Sequence, residues 1–184
     1  MKKLHSGLLL FAISSVILSS CKKENPETPP VPSNDEELIT TFKIIFTDPN
    51  GVNPTYEAVF RDIDGAGGNQ PTAFDTIRLK PNSTYDASIQ FLNESVLPAD
   101  TITNEILQEA GDHLICFNIN GVNISVQRTD SDGLFEIGLL STWTVANIST
   151  GNVTISLKHQ PGIKNENCDL GDTDIELNFV TKIE

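Results

Sequence analysis

The feature that most constrains this chain is a period-two alternation of apolar and polar residues that sets in at Glu37 and recurs to the C-terminus. Successive side chains of a strand point to opposite faces, so such a run buries one face and leaves the other wet. Leu38, Thr40, Phe42, Ile44 and Phe46 make the first such face, and Tyr56, Ala58 and Phe60 the second. A third run extends from Ala73 to Leu79, and a fourth aligns Tyr85, Ala87, Ile89 and Phe91. Ile115, Phe117 and Ile119 lead into Asn120-Gly121, after which Val122, Ile124 and Val126 alternate again. Asn-Gly between two alternating runs predicts a hairpin, because both turn residues must tolerate positive φ. Ser141, Trp143 and Val145, then Val153, Ile155 and Leu157, and finally Ile175, Leu177, Phe179 and Thr181 complete the series.

One-sided apolar faces need a second sheet to cover them. About eight or nine strands at short intervals therefore predict an all-β protein, an antiparallel immunoglobulin-like β-sandwich. One short helix interrupts it over Asn104 to Ala110, with Thr103 as its cap, Ile106, Leu107 and Ala110 as its stripe, and Gly111 as its end.

The segment before Glu37 has a different character. Met1-Lys2-Lys3 is a basic start, and Leu8 to Leu18 is an apolar run too short to span a bilayer. Leu18-Ser19-Ser20-Cys21 resembles the bacterial lipobox, in which small residues admit the peptidase and a thiol takes the lipid. The expected organisation is a lipoprotein signal peptide over 1–20, a lipidated Cys21 with a Pro-rich tether over 21–36, and the sandwich over 37–184. Lys22 stands where enteric bacteria place an aspartate for inner-membrane retention, so outer-membrane delivery is expected, on the periplasmic face or at the cell surface. Pro26, Pro29, Pro30 and Pro32 make the tether a polyproline-biased spacer. Twelve Lys+Arg against 25 Asp+Glu give a net charge of −13, which argues against nucleic-acid phosphate as a partner.

Several segments resemble a group of small flavobacterial outer-membrane lipoproteins. They are Glu36-Glu37-Leu38-Ile39-Thr40-Thr41, Phe60-Arg61-Asp62-Ile63-Asp64-Gly65 and Leu92-Asn93-Glu94-Ser95. Ser141-Thr142-Trp143-Thr144, Leu157-Lys158-His159-Gln160-Pro161 and Gly171-Asp172-Thr173-Asp174-Ile175-Glu176 extend the likeness over most of the domain. The resemblance implies a Bacteroidetes outer-membrane lipoprotein. Such proteins often carry the label "type 1 periplasmic binding fold superfamily". That fold alternates parallel strands with helices over a longer chain, and the pattern here predicts a sandwich instead.

Candidate chemistry is sparse. His113 and His159 are the histidines that survive removal of residues 1–20, and each is in phase with an apolar strand face. With Glu109 or Asp112 nearby in sequence they could ligate zinc or copper, or two imidazoles could hold haem iron. The competing reading is two unrelated histidines at strand ends, since no His-x-His or His-Glu-x-x-His spacing is present. Asp62 and Asp64 open like a calcium loop, but Ala66 stands at the third ligand position and a flexible connection accounts for the segment better. Cys116 and Cys168 can bridge in an exported domain, or Cys116 can be a small buried residue. Asp100-Thr101-Ile102 and Asp75-Thr76-Ile77 resemble the acceptor for Bacteroidetes O-glycosylation, at Thr101 and Thr76. Trp143 is expected in the core, not as a sugar platform.

No nucleophile elbow or phosphate-binding glycine loop is legible, so a non-enzymatic role is expected. The leading expectation is a lipid-anchored binding or accessory module, for metal or haem, working with a partner such as a TonB-dependent receptor. The alternative is a structural or adhesive surface protein with no small-molecule site.

Overall fold

The computed structural model describes residues 38–65 and 67–184. The expected signal peptide, Cys21 and the expected tether, together with Ala66, lie outside the described residues. Asp35–Glu184 is one compact unit. Among the described residues no helix is long and apolar enough to cross a membrane.

The alternating runs form strands as expected: β1 (Thr41–Thr47), β2 (Tyr56–Arg61), β3 (Ala73–Phe74), β4 (Ile77–Leu79), β5 (Ser83–Leu92), β6 (His113–Asn120), β7 (Ile124–Arg128), β8 (Leu140–Val145), β9 (Ser149–His159) and β10 (Asp172–Ile183), with the helix α1 (Ile102–Gln108) between β5 and β6. They build an all-β sandwich from a six-stranded sheet, β3-β2-β1-β5-β8-β7, and a four-stranded sheet, β4-β10-β9-β6. All pairings are antiparallel except β4 with β10. The order is immunoglobulin-like: β5-β8-β7 pair as strands B, E and D, β10-β9-β6 as G, F and C, and β3/β4 is a first strand that changes sheets. The β1–β2 hairpin is inserted between that first strand and β5.

The inward faces supply the core. Phe42, Ile44, Phe46, Tyr85, Ile89, Phe91 and Trp143 from one sheet meet Ile115, Ile155, Leu157 and Phe179 from the other. Aromatic pairs tie the layers: Phe42 tilted on Phe179 at 5.4 Å and Phe117 edge-on to Trp143 at 5.8 Å. Such pairs add roughly 0.5–1.5 kcal/mol each beyond their buried area. Trp143 is fully buried and its indole N–H donates to Ser141 Oγ at 2.9 Å, as a core tryptophan should.

Three local expectations are corrected. The Asn120-Gly121 turn does not make a hairpin, because β6 pairs with β9 and β7 with β8, in different sheets. Gly121 does take the positive φ that the turn signal implies, +74°. A turn signal fixes dihedrals and not partners. Here Val122 buries itself, and the crossing chain lies so close on β9 that a Cβ on Gly151 would sit 2.2 Å from the Asn120 carbonyl oxygen. The single run over 73–79 divides into β3 and β4, one in each sheet, which brings the count to ten strands.

The third correction concerns the helix, which starts and ends about two residues early. Thr101, not Thr103, is the N-cap, and it makes no side-chain cap. The Thr103 hydroxyl instead accepts from Phe91 N–H at 2.7 Å and donates to the Phe91 carbonyl at 3.2 Å, pinning α1 to β5. Ile102 and Ile106 are the buried helix residues, and Leu107 is exposed.

Cys116 and Cys168 form a disulfide, with Cα atoms 5.9 Å apart and a sequence separation of 52. It joins β6 to the 160–171 connection. A loop of that length implies stabilisation on the order of 4 kcal/mol in the chain-entropy account. Cys116 is buried as well, so the two sequence readings hold together.

A candidate metal centre at the end of the helix

His113 is the first residue of β6 and His159 the last of β9, and the antiparallel register places them directly opposite each other. Both belong to the inward-facing set of their strands. Their rings stack with centroids 4.8 Å apart and planes inclined by 19°. His113 is buried, His159 half-buried.

Glu109 lies at the C-cap of α1, one helical turn before His113. Its backbone carbonyl is 3.1 Å from His113 Nδ1. A carbonyl only accepts, so Nδ1 carries the proton and Nε2 keeps the lone pair. A backbone carbonyl on the far nitrogen is how a metal-binding imidazole is commonly held in one tautomer and orientation. Burial holds the His113 imidazole below its ordinary pKa; the Glu109 carbonyl opposes this, and the neighbouring His159 adds to it. The neutral ring required of a ligand is therefore favoured.

Ligand atoms of Glu109, His113 and His159 lie within 4.8 Å of one another. Two bonds of about 2.1 Å to a zinc ion span at most about 4.2 Å, so this set closes slightly on an ion. Ring orientation sets a second requirement. Imidazole lone pairs lie in the ring plane, and nearly parallel stacked rings do not aim them at one point. One ring must turn, and His159 is the less buried of the two. Its backbone is held on both sides: a Cβ on Gly171 would meet the His159 carbonyl at 2.2 Å, and Gln160 N–H donates to the Asp112 carbonyl at 2.6 Å.

Haem does not fit. Bis-imidazole ligation needs two ring nitrogens aimed at the iron from opposite sides, whereas these rings stack face to face as cross-strand neighbours with His113 enclosed. Asp112, the fourth residue named from the sequence, is not in the cluster. Its Oδ1 accepts from Gly162 N–H at 3.3 Å and clamps the turn after β9.

Beside the cluster, α1 and the segments 131–137 and 162–164 enclose a groove of about 690 Å³, lined by Leu107, Ala110, Leu134, Phe135 and Lys164 among others. Lys164 floors it, with a side chain only 2% exposed. Its ammonium donates to the Ala110 carbonyl at 2.7 Å and to Asp132 Oδ2 at 2.9 Å. Asp132 Oδ1 also accepts from Leu134 and Phe135 N–H, both at 2.7 Å. The Lys164 ammonium and then these amides hold the Asp132 carboxyl down to about 2. No sequence signal marked Lys164 or Asp132, because a lone lysine in a polar loop looks solvated until a fold encloses it.

Thr76 and Thr101 are half-buried, Thr76 between β3 and β4 and Thr101 at the start of α1. A scan against protein-family models finds no match, and neither the curated proteins nor the solved structures searched contain one.

Proposed function

We propose that this chain is a lipid-anchored, non-enzymatic module of the outer membrane that binds a borderline transition-metal ion, zinc or copper, through Glu109, His113 and His159. Lipid at Cys21 and the Pro-rich spacer hold the sandwich clear of the membrane, where it hands the ion to a partner such as a TonB-dependent receptor. The observation that carries the reading is the cross-strand register of His113 and His159 beside Glu109, with the His113 tautomer already set. Nitrogen and carboxylate donors in this mixture suit zinc or copper(II) and not hard cations.

The competing reading is a structural or adhesive surface protein. It is favoured by the stacking itself, which gives two histidines a stable arrangement with no ion. Elemental analysis and calorimetric titration of untagged Asp35–Glu184 with zinc and copper decide between them. Stoichiometric binding that His113→Ala and His159→Ala each abolish establishes the metal module. Wild-type protein that binds neither ion more tightly than about millimolar leaves the structural reading.

A further inference from the structure

A second group of side chains, at the end of β2, asks for a different ion. Asp62 directly follows β2, and its N–H donates to the Thr40 carbonyl at 2.8 Å. The residue is only 8% exposed, and its Oδ1 is enclosed with no hydrogen-bond partner. An enclosed carboxylate oxygen without a partner carries its full desolvation cost. The Asp64 carboxylate lies against it: burial first, then contact with Asp64, raises the Asp62 pKa, against the Gly65 backbone N–H, which lowers it.

Asp64 is not there by accident of a loose side chain. Its Oδ2 accepts from Asn69 N–H at 2.8 Å and from Asn69 Nδ2 at 2.6 Å. It rests on the backbone of Gly68, where a Cβ would stand 2.4 Å from that oxygen. Gly65 and Gly67, at φ +75° and +90°, bend the turn around it. Two like charges are thus brought together by construction. The cation nearest in sequence, Arg61, is committed to Glu94. Among the described residues no basic side chain makes an ion pair with Asp62 or Asp64.

We propose that Asp62 and Asp64 bind a calcium ion, with the enclosed Asp62 Oδ1 as its inner ligand and the exposed Asp64 carboxylate as its solvent-side ligand. An all-oxygen donor set selects a hard cation. A glycine-rich turn supplies the irregular geometry that calcium accepts and magnesium resists. Two carboxylates are few for this ion, so the affinity belongs with extracellular modules, at a Kd of about 0.1–1 mM. The bound ion fixes the turn from β2 to edge strand β3, whose first ladder contact is Thr72 N–H to the Arg61 carbonyl at 2.7 Å. This site is independent of the histidine cluster in residues and in donor type.

The test is thermal unfolding of chelator-stripped Asp35–Glu184 with calcium, magnesium or neither at matched ionic strength, paired with calorimetric calcium titration. At 10 mM calcium the midpoint rises by about 3–11 °C across that range of Kd, and magnesium gives less than half of that. Asp62→Asn and Asp64→Asn each abolish the rise, whereas His113→Ala retains it. A wild-type midpoint that is the same in calcium and in chelator overturns the proposal, whatever the variants do. So does an equal rise with magnesium, or a rise that survives in either aspartate variant.

Discussion

Asp132 and Asp62 are both aspartates drawn into turns of one sandwich, and they stand on opposite terms. Asp132 meets a buried ammonium and two backbone amides, and its carboxyl is held down to about 2. Asp62 meets a second carboxylate and a single backbone amide, that of Gly65, keeps one oxygen without a partner, and is pushed up. Burial alone does not decide what a charge does in a fold; the sign of what it is buried against does. The corner around Asp132 closes its charges into pairs, whereas the turn at Asp62 sets one carboxylate against another.

The strongest way to break the closed corner is to cut its staple. Cys116→Ser with Cys168→Ser should lower stability by about 4 kcal/mol in guanidinium unfolding. It should leave the calcium response of the 62–69 turn in place, because the two regions share no residue. Next in size, Thr103→Val removes the hydroxyl that satisfies Phe91 N–H and should cost about 1–3 kcal/mol by the same measurement. The far-UV helix signal should weaken as α1 loosens from β5.

Acid sharpens the contrast within the corner, in metal-free protein. His113 has its folded pKa below the unfolded value, so its contribution is present above about pH 6.5 and falls away as pH drops through the lowered value. Asp132 is likewise depressed, so its contribution is intact at pH 5, begins to go below 3.8 and is lost by about 2. Unfolding midpoints measured from pH 8 to 2 should therefore fall in two stages. Asp132→Asn should lower the midpoint at pH 7 and converge on wild type near pH 2, and His113→Phe should flatten the upper stage alone. The smallest effect has the opposite sign: Asp62→Asn in chelator should raise the midpoint slightly, by relieving the like-charge contact with Asp64.

How much of this was legible in sequence follows from the range of each signal. Alternation named the inward face of every long strand, and it put His113 in phase with Ile115 and His159 in phase with Leu157. Two residues in phase on strands that pair become neighbours, so the histidine cluster was within reach. What alternation does not carry is which strand pairs with which. Asn120-Gly121 announced a turn and concealed a change of sheet, and the run over 73–79 read as one strand because both halves alternate. Thr103 was expected to cap a helix because capping is local, while its actual partner, Phe91, is brought near by the fold. Lys164 and Asp132 pair across 32 residues, beyond any motif.

The staple also has a mechanical meaning. The ring closed by Cys116 and Cys168 leaves the four-stranded sheet along β6, runs through β7 and β8 of the other sheet, and returns along β9. A chain pulled from its two ends therefore keeps the 52 residue steps from Cys116 to Cys168 out of its extension. At about 3.3–3.6 Å per residue, roughly 170–190 Å of contour stays hidden until the bond is reduced. Under tension, β1, β2 and β10 can peel away while the loop holding most of β6 and all of β7, β8 and β9 stays shut, so the domain yields in part and does not run out to full length.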